Sequence, residues 1–90
     1  MSTAAEALLD RMRRTKHGWG CNDLHTLYLG FGFSHREGGK HRVYIHREYT
    51  ELRATVARQN QLPAAYVRHA VALIDRLVLL QGEKQQGGPE

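Results

Sequence analysis

Ninety residues allow one domain with a modest core, because a chain this short buries only about 60% of the surface its unfolded form exposes. At 41% hydrophobic and 24% charged the composition is globular, and uninterrupted apolar runs such as Leu77-Val78-Leu79-Leu80 are far short of the roughly 20 residues that span a bilayer. The single cysteine, Cys21, leaves no internal disulfide and no cysteine-based metal site.

Thirteen Lys and Arg against nine Asp and Glu give a net charge of +4. Arg36, Lys40, Arg42, Arg47, Arg53 and Arg58 fall in one stretch, with His35, His41 and His46 between them. Positive charge grouped in this way points to a polyanionic partner, nucleic acid above all. The N-terminus has no basic-then-apolar export pattern, so the expected compartment is a reduced cytoplasm.

In chain order, Thr3-Ala4-Ala5-Glu6 fits a capping box, and Ala5, Leu8, Leu9 and Met12 recur at helical spacing, predicting a helix to about Lys16. Gly18-Trp19-Gly20-Cys21 is a break. Asn22 or Asp23 is expected to cap a second, shorter helix with Leu24, Leu27 and Tyr28 on one face, ended by Gly30 and Gly32. From Phe33 the period becomes alternating. A strand over Phe33 to Glu37, a Gly38-Gly39 turn, a strand over Arg42 to His46 and a third around Leu52, Ala54 and Val56 are predicted. In the second strand Val43 and Ile45 are expected inside, with Arg42, Tyr44 and His46 facing water.

Pro63 suits the first turn of a last helix, whose stripe is Val67, Ala70, Val71, Ile74, Leu77 and Val78, widened by Leu73, Leu79 and Leu80. The Gly/Gln-rich end reads as a loose tail. The expected organisation is a helical extension over residues 1–20, a core over 22–80 and a tail over 81–90. The fold class is α+β, with a three-stranded antiparallel sheet packed on helices.

For chemistry, His41 and His46 are five apart and so lie on opposite strand faces, and no carboxylate motif joins them, which argues against zinc. No Walker-type phosphate loop is present, Ser2 and Ser34 lack a nucleophile motif, and Cys21 beside His25 is weak evidence for a thiol enzyme. What remains is Gly38-Gly39-Lys40-His41-Arg42. A histidine between two cations suits phosphodiester chemistry: it exchanges protons near neutrality, and the cations favour its neutral form and the charge of a pentacoordinate phosphate. RNA brings its own nucleophile, the 2′-OH, so no metal or cofactor is implied. The phasing puts His41 on the side of Val43 and Ile45, but its place beside glycines at the strand's beginning gives it an exposed edge.

The run Gly38-Gly39-Lys40-His41-Arg42-Val43-Tyr44 resembles the Gly-Ser-His strand motif of HicA-type toxins. Gly32-Phe33 before it, the third strand from Leu52 to Arg58, and Pro63-Ala64-Ala65-Tyr66-Val67-Arg68 at the last helix follow that family's order. Met12-Arg13-Arg14, Gly18-Trp19 and Asn22-Asp23-Leu24 are similar to a subgroup with an added N-terminal segment. The resemblance spans roughly residues 8 to 80. It implies a double-stranded-RNA-binding-domain-like fold, ribosome-independent mRNA cleavage, neutralisation by a HicB-type antitoxin, and His41 as the catalytic histidine. Lys40 stands where the family more often has serine, and neither His46-Arg47-Glu48 nor Val56-Ala57 carries the family's usual proline.

On this reading Lys40, Arg42 and Arg36 grip phosphate and Arg47, Arg53 and Arg58 position the RNA. His35 and His46 are candidates for the second proton-transfer group, which the sequence does not identify, and each reads more simply as a solvated strand residue. Two alternatives use the same residues differently. One is a non-catalytic RNA-binding module, the other a protein-interaction domain built on the wide last helix.

Overall fold

The computed structural model describes residues 3–86, with side chains to residue 83. Its elements are α1 (Ala4–Arg14), α2 (Cys21–Gly30), β1 (Phe33–Gly38), β2 (His41–His46), β3 (Arg53–Ala57) and α3 (Ala64–Gln86). The strands form one antiparallel sheet in the order β1-β2-β3, so the fold is α+β as the periodicities predict.

α1 begins with the expected capping box: Thr3 Oγ1 accepts from the Glu6 amide at 3.1 Å, and Glu6 Oε1 accepts from the Thr3 amide at 2.9 Å. It ends at Arg14, two residues earlier than expected, and Lys16 Nζ donates to the Arg13 carbonyl at 2.7 Å. α2 is capped by Gly20 rather than by Asn22 or Asp23, which lie inside the helix. The Asp23 carboxylate instead reaches back to the Gly20 amide at 2.9 Å. Gly20 approaches the Asn60 backbone too closely for a Cβ, which accounts for a glycine where a side-chain cap was expected.

The hairpin turn is Gly39-Lys40, since Gly38 pairs with His41 as the last rung of β1 and β2. Phe33, His35 and Glu37 share one face with His46, Tyr44 and Arg42, and with Ala54 and Val56 of β3. This is the face the helices cover. Tyr44, His46, Ala54 and Val56 are buried there, and Tyr44 stacks on Tyr28 of α2 at 4.7 Å.

The expected phasing of β2 is therefore inverted. Val43 and Ile45 are only half-buried on the other, more open face (the uncovered face), which α3 borders beside Thr55. The reason lies in the partners. Register locks Tyr44 beside Ala54 and His46 beside Phe33, and burying the aromatic rings removes more apolar area than burying Val43 and Ile45.

One core unites the helices: Leu9 and Met12 of α1, Leu24, Leu27 and Tyr28 of α2, and Val67, Ala70, Ile74 and Leu77 of α3. Val78 and Leu79, expected in the buried stripe, stand in solvent. The tail expected from residue 81 is helical as far as Gln86. Glu83, Lys84, Gln85 and Gln86 are good helix formers, and a single glycine at position 82 costs only about 1 kcal/mol. Residues 87–90, the rest of that expected tail, lie outside the described residues. No described helix is long and apolar enough to cross a membrane.

Candidate functional site

The histidines expected to work together are dispersed over three environments. His41 opens β2 on the uncovered face, level with Gly38 on one side and Ala57 on the other. It is exposed, and its ring has no hydrogen bond or ion pair among the described residues. The inverted phasing is what frees it, since the Val43 and Ile45 side that seemed to threaten burial faces solvent.

His46 is a core residue, 4% exposed. Its Nε2 lies 3.0 Å from the Phe31 carbonyl oxygen, and its Nδ1 accepts the amides of Glu48 and Tyr49 at 3.0 and 3.1 Å. A carbonyl only accepts, so the ring proton sits on Nε2. With both nitrogens committed, His46 fixes the β2–β3 loop and has no nitrogen for substrate. Gly32 is shaped to it, with φ of +91° and a Cβ position 3.0 Å from His46 Nε2.

His35 is on the helix-covered face, opposite to His41, so the sheet itself separates the two. It joins a polar cluster where α2 crosses the hairpin end. Its Nδ1 lies 3.2 Å from Glu37 Oε2, and its ring meets His25 of α2 edge to face at 4.7 Å. His25 Nδ1 is 2.8 Å from the Tyr44 hydroxyl, which also accepts from Arg42 at 3.4 Å.

Arg42 is thus not beside His41 as expected. Its side chain points to the covered face, with Nε 2.7 Å from Glu37 Oε2 but misaligned for a hydrogen bond, so the contact is an ion pair. Arg58 joins from beyond β3, with one nitrogen 3.4 Å from Glu37 Oε1 and 3.4 Å from the Gly39 carbonyl.

The electrostatics follow from this packing. Desolvation tends to raise the Glu37 carboxyl, but Arg42, Arg58 and His35 outweigh it and hold the carboxyl below the usual range. Burial, then the charge of Arg42 and the neighbouring His35, pushes His25 below the ordinary imidazole value. Burial raises the Tyr44 hydroxyl despite its bond from Arg42.

The remaining basic residues do not form one patch. Lys40 is exposed in the turn and Arg36 on the uncovered face, both toward the His41 end. Arg53 is four rungs along β2, level with Ile45, and donates to the Thr50 carbonyl at 3.1 Å. At about 3.3 Å per residue that is some 13 Å from His41. Arg47 is exposed beyond the far end of β2.

A group outside the expected set stands out near His41. Thr55 shares its face, two rungs away, and lines an open groove of about 250 Å³ with Ala65, Tyr66 and His69 of α3. In the sequence Tyr66 marked only the opening of a helix, and His69 was one more polar residue on it. His25 had a signal in its nearness to Cys21, but nothing in the spacing linked it to His35 and Tyr44. No group of three or more His, Cys, Asp or Glu among the described residues is placed to hold a metal ion.

Compared with known proteins, the chain matches no family model, no curated protein and no solved structure.

Proposed function

We propose that the chain binds RNA on the uncovered sheet face and cleaves it at His41, as a HicA-type mRNA interferase of a toxin–antitoxin pair in the bacterial cytoplasm. The observation that carries this reading is the freedom of His41, an exposed imidazole with no partner among the described residues, beside exposed Lys40 and two rungs from the Thr55–Tyr66 groove. As general base it takes the 2′-OH proton while the 2′-oxygen attacks phosphorus. The P–O5′ bond breaks, and the departing oxygen takes a proton to leave a 2′,3′-cyclic phosphate and a 5′-hydroxyl. Lys40 and Arg36 neutralise phosphate, and Arg53 and Arg47 lie farther along the strand's length. An acidic HicB-type antitoxin would cover His41 together with Lys40 and Arg36. The test is cleavage of end-labelled single-stranded RNA in EDTA. Wild type is expected to cleave, and His41→Ala to lose about 10²-fold or more; an equally active variant refutes the assignment.

A second reading, a non-catalytic RNA-binding module, is favoured by the placement of the other two strand histidines. His35 is on the wrong face and His46 is committed to backbone, so neither completes an acid–base pair with His41. Salt-sensitive binding without cleavage by wild type identifies this case.

A further inference from the structure

The cluster at the hairpin end has an arrangement that packing alone does not require. The Glu37 carboxylate, 3.2 Å from His35 Nδ1, favours a proton on that nearer nitrogen by charge alone, which turns His35 Nε2 outward with no partner among the described residues. Tyr44 is fully buried, and Arg42 can only donate to its oxygen, so the hydroxyl hydrogen has His25 Nδ1 as its acceptor. His25 therefore carries its proton on Nε2, again without a partner.

Two adjacent rings thus offer one unpaired acceptor and one unpaired donor, with ring centres 4.7 Å apart. Around them two guanidiniums, Arg42 and Arg58, face a single carboxylate, Glu37, so positive charge is in excess even before either histidine is counted. His35, Glu37 and Arg58 are exposed, so the cluster opens to solvent at its rim.

We propose that this cluster is a ribonucleotide site, separate from His41, that reads a ribose 2′-OH together with its neighbouring 3′-phosphate. The 2′-OH donates to His35 Nε2, and the phosphate oxygens accept from His25 Nε2 and from the Arg58 guanidinium. The Glu37 charge biases the His35 tautomer, and the Tyr44 hydroxyl fixes that of His25, as outer partners do for ligand-binding imidazoles generally. A hydroxyl that both donates and accepts is the feature that separates RNA from DNA, and an oriented imidazole acceptor detects it. The inference does not rest on cleavage at His41, which lies on the other face of the sheet.

The experiment titrates the full chain with uridine 3′-monophosphate and follows the histidine ring resonances by NMR, alongside the 2′-deoxy nucleotide and inorganic phosphate. Saturable shifts at His25 and His35 are expected, with binding weaker by about tenfold for the 2′-deoxy nucleotide and for His35→Ala, the loss of one good hydrogen bond. Arg68→Ala, on α3 away from the histidines of both sheet faces, is expected to leave the His25 and His35 shifts as in wild type. Glu37→Gln, which keeps the shape but not the charge, is expected to weaken nucleotide binding while the chain stays folded. Unmoved His25 and His35 rings, shifts confined to His41, or equal affinity for the ribo- and deoxyribonucleotide would each overturn the proposal. A chain that binds the ribonucleotide at His35 yet cleaves no RNA leaves this site standing and removes the catalytic reading of His41.

Discussion

The Tyr44 hydroxyl lies between two groups with opposite demands: the Arg42 guanidinium, 3.4 Å away, can only donate to it, and His25 Nδ1, 2.8 Å away, must then accept its hydrogen. Protonating His25 would destroy that arrangement by placing a second donor against the same oxygen. Burial and the charges of Arg42 and His35 push in the same direction, keeping His25 neutral.

His25 should therefore titrate below 6.5, its ordinary value. Its folded-state value is lowered, so the stability it contributes is fully present above about pH 6.5 and is lost as pH falls through the folded value. Arg42→Gln removes a charge that holds His25 down while leaving Glu37, which raises it, so the midpoint should move up. NMR titration of the His25 ring in both proteins checks this; an unchanged midpoint would show that burial alone sets it.

His46 should matter for stability and not for nucleotide. His46→Ala orphans the Phe31 carbonyl and the amides of Glu48 and Tyr49, and opens space beside Phe33, whose ring it meets at 5.0 Å. The expected cost is about 2–4 kcal/mol. Urea unfolding measures it, and a loss below about 1 kcal/mol would mean that the loop backbone finds other partners.

The order of elements was legible because each announces itself locally: Thr3 with Glu6 as a capping box, the alternation from Phe33, Pro63 before α3. The choice of buried face on β2 was not. Val43 and Ile45 are more apolar than Tyr44 and His46, and only pairing across the sheet, with Tyr44 beside Ala54 and above Tyr28, shows which set the core takes. The site suffered from the same blindness. Lys40-His41-Arg42 reads as one basic triplet, yet strand alternation sends Arg42 through the sheet to Glu37. His25 and His35 are ten residues apart with a helix end and a turn between them, so their contact exists only in three dimensions.

Helix crossing makes a sharper test of the fold. A Cβ at Gly30, the last residue of α2, would collide with the Ala5 side chain of α1. Gly30→Ala should cost about 1–3 kcal/mol through overpacking, although alanine is the better helix former. Adding Ala5→Gly should recover part of that loss. If the double variant is less stable than Gly30→Ala alone, the two helices do not meet at these residues.

The groove between Thr55 and α3 tests the RNA reading without requiring catalysis. Tyr66 is half-buried and His69 exposed, and both line a space of about 250 Å³ that begins two rungs from His41 at Thr55. A phosphate held at Lys40 and His41 leaves its neighbouring base within reach of that groove, where an aromatic ring offers a stacking surface. Stacking one base is worth about 1–3 kcal/mol, so Tyr66→Ala should weaken single-stranded RNA binding roughly 5- to 150-fold at fixed salt. It should leave the salt dependence unchanged, because no charge is removed. Lys40→Ala should do the reverse, lowering the slope of log K against log salt by about 0.7 for the single phosphate contact it loses. Fluorescence anisotropy at several salt concentrations separates the two effects. If both variants bind as wild type does, RNA does not run along this face and the reading centred on His41 fails with it.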